Sequence, residues 1–158
     1  DSALYRLKET YNDLKKLGIE AFELSENRPQ VGDNIEIISG YWERGYSCQI
    51  DDFIFRLKEA SWTFVDSIRY TNTGCKTIGG TSGSPIIDSD SRLVVGVNNT
   101  ANESGRRCSM NNPCEVDENN SVTVRKGATY GQQTYLIYSC LNSQNEFDLQ
   151  LPGCELPK

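Results

Sequence analysis

From residue 31 onward the apolar residues of this chain come in short runs, each ended by turn-forming residues. That spacing is too short for stacked helices and predicts a mostly antiparallel β architecture. Val31-Gly32-Asp33 reads as a turn leading into residues 34–40, where apolar and polar positions largely alternate. Residues 53–57, 62–65, 67–70, 86–87, 93–97 and 134–138 read as further strands. Asp88-Ser89-Asp90-Ser91, Asn111-Asn112-Pro113 and Asn119-Asn120-Ser121 supply turns between them. Such strands with few helices predict an all-β fold, an antiparallel barrel or sandwich. The one helix expected is short, over residues 9–18, with Thr10 or Asn12 as its cap, lysines in its last turn and Gly18 as its stop. The Asn-rich stretch 98–120 reads as a long polar loop held by two cysteines. Its triplets at Asn98, Asn102 and Asn119 match glycosylation sequons, as Asn-rich loops do by chance.

The six cysteines, Cys48, Cys75, Cys108, Cys114, Cys140 and Cys154, form an even set with no Cys-x-x-Cys pair. This argues against a zinc knuckle or a thioredoxin motif and for disulfides made in an oxidising compartment. Fifteen pairings are open; the sequential one, 48–75, 108–114 and 140–154, is the expectation, with the middle pair closing a small loop around Pro113.

At 158 residues the chain makes one domain or the greater part of one. Its 37% hydrophobic and 24% charged content is that of a globular protein, and no run is apolar and long enough to span a membrane. Asp and Glu number 22 against 16 Lys and Arg, a net charge of −6. Basic residues pair only at Lys15-Lys16, Arg106-Arg107 and Arg125-Lys126, with no larger cluster, which argues against nucleic acid as a partner. There is no histidine. The chain therefore has no imidazole to act as a general base or zinc ligand, and any hydrolytic mechanism needs another base or one from outside. Neither a metal nor an organic cofactor is implied. Asp88 and Asp90 are a conceivable calcium pair, but a polar hairpin turn explains them better.

One segment carries chemistry: Gly79-Gly80-Thr81-Ser82-Gly83-Ser84-Pro85-Ile86-Ile87-Asp88. By composition it is a Gly/Ser turn. It lacks the last glycine and the following helix of a hydrolase nucleophile elbow, and the Gly-Lys-Ser/Thr ending of a phosphate loop. Glycines at 79, 80 and 83 allow backbone angles that bulky residues resist.

The segment resembles the nucleophile loop of chymotrypsin-fold serine peptidases, in the bacterial secreted branch that includes glutamyl endopeptidases. Residues 31–41 resemble the first strand of that family's second barrel. Residues 93–97 resemble the strand leading to the substrate-pairing segment, here Asn99-Thr100-Ala101. Asp1-Ser2-Ala3-Leu4 resembles the stretch around the triad aspartate. The resemblance implies a serine endopeptidase with Ser82 as nucleophile, Asp1 orienting the base, and the Gly80 and Ser82 amides as oxyanion hole. Thr77 and Asn98 become pocket walls, with Asn99 and Thr100 beside the substrate. Thr81 stands where the animal digestive enzymes have Asp, and Asn98 where glutamyl endopeptidases have His, so a preference for Glu is not implied.

The family's catalytic histidine would lie upstream of Asp1. The chain thus reads as the C-terminal portion of a longer secreted or periplasmic protease, with a polypeptide as substrate and an N-terminal segment or companion chain supplying the histidine. Residues 1–30 would end the first barrel and connect the two, 31–140 would form the second barrel, and 141–158 a disulfide-tied tail. Lys76 is a less favoured base for Ser82. Two other readings stay open: a non-catalytic relative serving as a disulfide-bonded binding module, and a lectin-like β-sandwich.

Overall fold

The computed structural model describes residues 5–71 and 73–156. Its elements in order are α1 (Tyr11–Lys16), β1 (Asn34–Ser39), β2 (Arg44–Glu59), β3 (Trp62–Tyr70), β4 (Pro85–Asp88), β5 (Val94–Ala101), β6 (Cys114–Val116), β7 (Val122–Thr123), β8 (Thr129–Gln133) and a 3-10 helix, Tyr135–Cys140. The fold is all-β, and every strand pairing is antiparallel.

The ladder returns on itself. The strand order runs β1-β4-β5-β8-β3-β2, and β2 pairs again with β1. One long strand makes this closure possible. The first part of β2 pairs with β1 from Arg44 to Gln49, and from Ile50 onward it pairs with β3. A register shift between Ile50 and Asp52 separates the two stretches, and such a bulge bends a strand and increases its twist. Beyond the ring, the end of β2 also carries β6, which in turn carries β7.

Alternation along the strands puts Ile35 and Ile37 of β1, Tyr46 and Ile50 of β2, Ile68 and Tyr70 of β3, Ile86 of β4 and Val95 of β5 into one buried cluster. Each such side chain contributes about 1.5–3 kcal/mol by leaving water. A smaller cluster of Ile54, Leu57, Ala128 and Tyr130 continues the core toward β6. Two glycines let the strands close around the large side chains. A Cβ on Gly131 would collide with Tyr70 Oη and Ile86 Cδ1, and one on Gly96 would lie 3.0 Å from Ile68 Cδ1. A charged cluster crosses β2, β3, β6 and β8. Arg69 donates to Asp51, Asp52 and Glu115, while Tyr130 Oη and Arg125 Nε also donate to Glu115. Burial, then the Glu115 carboxylate, pushes the Tyr130 phenol well above its ordinary range.

The expected helix forms as a single capped turn and a half. Thr10 and Asp13 exchange reciprocal cap bonds, and Lys15 and Lys16 occupy the last turn. All three disulfides follow the sequential pairing: Cys48–Cys75, Cys108–Cys114 and Cys140–Cys154. Asp88 Oδ1 accepts from the amide and hydroxyl of Ser91, so this acidic stretch is a hairpin turn.

Three expectations are corrected. Residues 134–138 are not a strand; Tyr135–Cys140 is a 3-10 helix. The pairing place between β5 and β3 is taken by Thr129–Gln133, whose glycine and two glutamines gave little strand signal. The apolar run after it instead turns back, where Tyr138 Oη donates to Leu24 O and buried Cys140 meets Cys154. The separate runs 62–65 and 67–70 form one strand, β3, with Asp66 between them at φ +50°. The stretch 98–120 is not a simple loop. It holds the end of β5 and all of β6, and Asn98, Asn102 and Asn112 are buried. Asn102 bonds Pro113 O, Arg106 O and Gly105 N, which makes it a structural brace. Among the described residues no helix is long and apolar enough to cross a membrane.

Candidate functional site

The segment around Ser82 leaves the ring at Cys75, which is tied to β2 by its disulfide and accepts from Thr129 Oγ1 at 3.0 Å. It then makes two successive tight turns. Thr81 donates to Ile78 O from both its amide and its hydroxyl (3.1 and 2.7 Å), and the Ser84 amide donates to Thr81 O (3.1 Å). Gly80 and Gly83 sit at φ +90° and +86°, a region closed to most side chains. Glycines at these two positions are what the bend requires.

Strand β5 pins the bend from one side. Gly83 N donates to Asn98 O and Asn98 N to Ser84 O, both at 2.8 Å. Asn98 Nδ2 donates to Thr81 O at 3.0 Å and to Thr81 Oγ1 at 3.2 Å. Both side chains are nearly sealed, with Asn98 3% and Thr81 2% exposed. The bend is thus held by a buried polar pair. Asn98, expected as a pocket wall, does border the cleft, but its amide group serves chiefly to hold Thr81.

Immediately after Asn98 the ladder between β5 and β8 slips: Asn98 faces Gly131, Thr100 faces Tyr130, and Asn99 is the extra residue. A bulge of this kind frees a main-chain carbonyl from the ladder. Ser82 is exposed, and its hydroxyl donates to Asn99 O at 2.7 Å. Among the described residues, the amides of Gly80 and Ser82 have no acceptor. Opposite the bend, Trp42 Nε1 donates to Gly79 O at 2.9 Å.

A cleft of about 190 Å³ opens beside Ser82. Thr77, Gly80, Ser82, Asn98, Asn99 and Thr100, scattered over 24 positions of sequence, all border it. Asp1 lies outside the described residues. Lys76 is exposed and does not line the cleft. Sequence reasoning missed three contributors. Glu103 and Asn111 also border the cleft, and among the described residues Glu103 is the one ionisable side chain on its wall. In sequence Asn111 reads only as a turn residue and Glu103 as one more polar position of the Asn-rich stretch. Trp42 follows the recognised strand, but nothing in its local pattern marks an indole that reaches 37 residues ahead. A larger depression of about 320 Å³ lies elsewhere, over Asn34, Ser47, Gln49 and Thr71. It lacks the glycine-framed bend and the free amides, so the smaller cleft is the candidate site.

No protein-family model matches this chain, and no curated protein matches it either.

Proposed function

We propose that this chain carries the nucleophile and oxyanion site of a serine endopeptidase, and that its closed ring of strands is the second barrel of a chymotrypsin-type fold. The observation that carries the reading is the bend at Ser82. An exposed hydroxyl stands over a cleft, between two positive-φ glycines and beside two amides with no acceptor.

In this reading Ser82 Oγ attacks the scissile carbonyl carbon. The hydroxyl proton, which rests on Asn99 O, passes to a histidine from outside this chain, because the chain has none. The carbonyl oxygen becomes an oxyanion held by the Gly80 and Ser82 amides. Removing one such donor typically costs about 10²–10³ in rate. The protonated histidine then hands its proton to the leaving amine, with Asp1 orienting the ring. The end of β5 at Asn99–Ala101 offers main-chain groups to a substrate backbone, and Thr77 and Asn98 shape the pocket. The partner that supplies the histidine would cover residues 5–22, where Tyr5, Leu7, Leu17 and Phe22 are all more than half exposed. Three disulfides fit a secreted or periplasmic setting.

The absence of histidine favours a second reading, a non-catalytic relative that uses the same disulfide-bonded scaffold to bind. A fluorophosphonate probe applied to the full-length folded protein separates the two. Covalent modification at Ser82, abolished in Ser82→Ala, supports the peptidase. A folded full-length protein that stays unmodified is the module.

A further inference from the structure

We propose that Trp42 is a positioning residue for the oxyanion site, its indole acting as a latch on the Gly79–Gly80 peptide. The inference rests on the reading of Ser82 as nucleophile. In a trans peptide the C=O of one residue and the N–H of the next point in opposite directions across a rigid plane. No peptide bond among the described residues is cis. Trp42 Nε1 donates to Gly79 O at 2.9 Å, so the Gly79 carbonyl faces the indole and the Gly80 N–H is turned away from it. That N–H has no acceptor among the described residues, and Gly80 borders the Ser82 cleft.

The latch has a reason to exist. Two consecutive glycines, at 79 and 80, leave the peptide between them freer to rotate than any other in the bend. A rotated plane would aim a carbonyl, not an amide, at the oxyanion and would repel it. The remaining hydrogen bonds of the bend act on Ile78, Thr81, Ser82, Gly83 and Ser84 and do not hold this plane. The packing is equally specific. The indole lies so close that a Cβ on Gly80 would sit 2.9 Å from Nε1 and 3.4 Å from Cε2. Trp42 is itself held, its amide donating to Ser39 Oγ at 3.3 Å and its ring meeting Tyr41 edge-on at 4.8 Å. It is 46% exposed, so the ring contributes little to the core.

The test is made in the full-length protein with two replacements at position 42. Trp42→Phe removes the N–H and some of the ring, while benzothienylalanine puts sulfur where the N–H was and keeps the shape. Both are expected to lower kcat roughly 10- to 100-fold with KM within about twofold, because the lost interaction acts only on the developing oxyanion. Affinity for a peptide boronate, whose tetrahedral adduct uses the oxyanion site, falls in parallel, while thermal melting stays that of wild type. If wild type reacts with the fluorophosphonate and both replacements keep kcat and boronate affinity within twofold, the latch is overturned and the peptidase reading stands. If kcat falls only in step with a lowered melting temperature, the latch is likewise overturned, in favour of a purely structural role. If folded wild type does not react at all, both fall together.

Discussion

Removing the Cys48–Cys75 crosslink, as Cys48→Ala with Cys75→Ala, tests how the base of the Ser82 bend is held. The bridge joins residues 27 apart in sequence. The chain-entropy relation gives such a closure about 3.6 kcal/mol at 25 °C. The same relation gives about 3.0 kcal/mol for Cys140–Cys154, separated by 14, and about 2.2 kcal/mol for Cys108–Cys114, separated by 6. Unfolding entropy scales with chain length, so the first loss corresponds to a fall of about 11 °C in Tm. Urea unfolding of the three double-alanine variants, read at unchanged m, measures the order directly. The site itself should survive. Thr129 Oγ1 still holds Cys75 O when the residue is alanine, and Asn98 still holds Thr81 and Gly83, so Ser82 keeps its place. A loss below about 1 kcal/mol for the 48–75 pair, or a larger loss for 108–114, would refute the argument that these bridges act by restricting the unfolded chain.

Three further outcomes are expected. Burial pushes the phenols of Tyr70 and Tyr130 above their ordinary value of 10.0; the stability this contributes is complete below pH 10 and is lost as pH rises above it. Titration of phenolate absorbance should therefore leave these two un-ionised until the protein unfolds, and two early, reversible ionisations in Tyr70→Phe-sensitive and Tyr130→Phe-sensitive steps would contradict it. Gly131→Ala puts a methyl group against Tyr70 Oη and Ile86 Cδ1 and should cost about 1–3 kcal/mol or more in chemical denaturation; Gly127→Ala, where no atom lies within 4 Å but φ is +81°, is the control for backbone strain alone. Asn98→Ala removes two hydrogen bonds to Thr81 and should cost about 1–2 kcal/mol, while Asn98→Asp, which sets a carboxylate against the Thr81 carbonyl, should cost more. Equal melting temperatures for the two Asn98 variants would remove the bracing role.

Much of this molecule was decided by local sequence. Alternation in β1 set its inward face, because period-two patterning leaves only one register that buries Ile35 and Ile37. Thr10 and Asp13 carry their own helix cap, the turn at Asp88 is made by its own side chain, and the glycines at 80 and 83 announce a bend that other residues resist. Those are interactions between near neighbours, so a linear reading reaches them. The tertiary structure decided the rest. It placed residues 129–133 in the sheet and turned 135–140 into a 3-10 helix, since strand pairing depends on which neighbours are already present and not on propensity. It also converted Asn98 and Asn102 from loop residues into buried braces, exposed the Asn99 carbonyl through a bulge, and brought the indole of Trp42 against Gly79. Each of those is a contact between distant segments, and its geometry comes into being only when the ring closes.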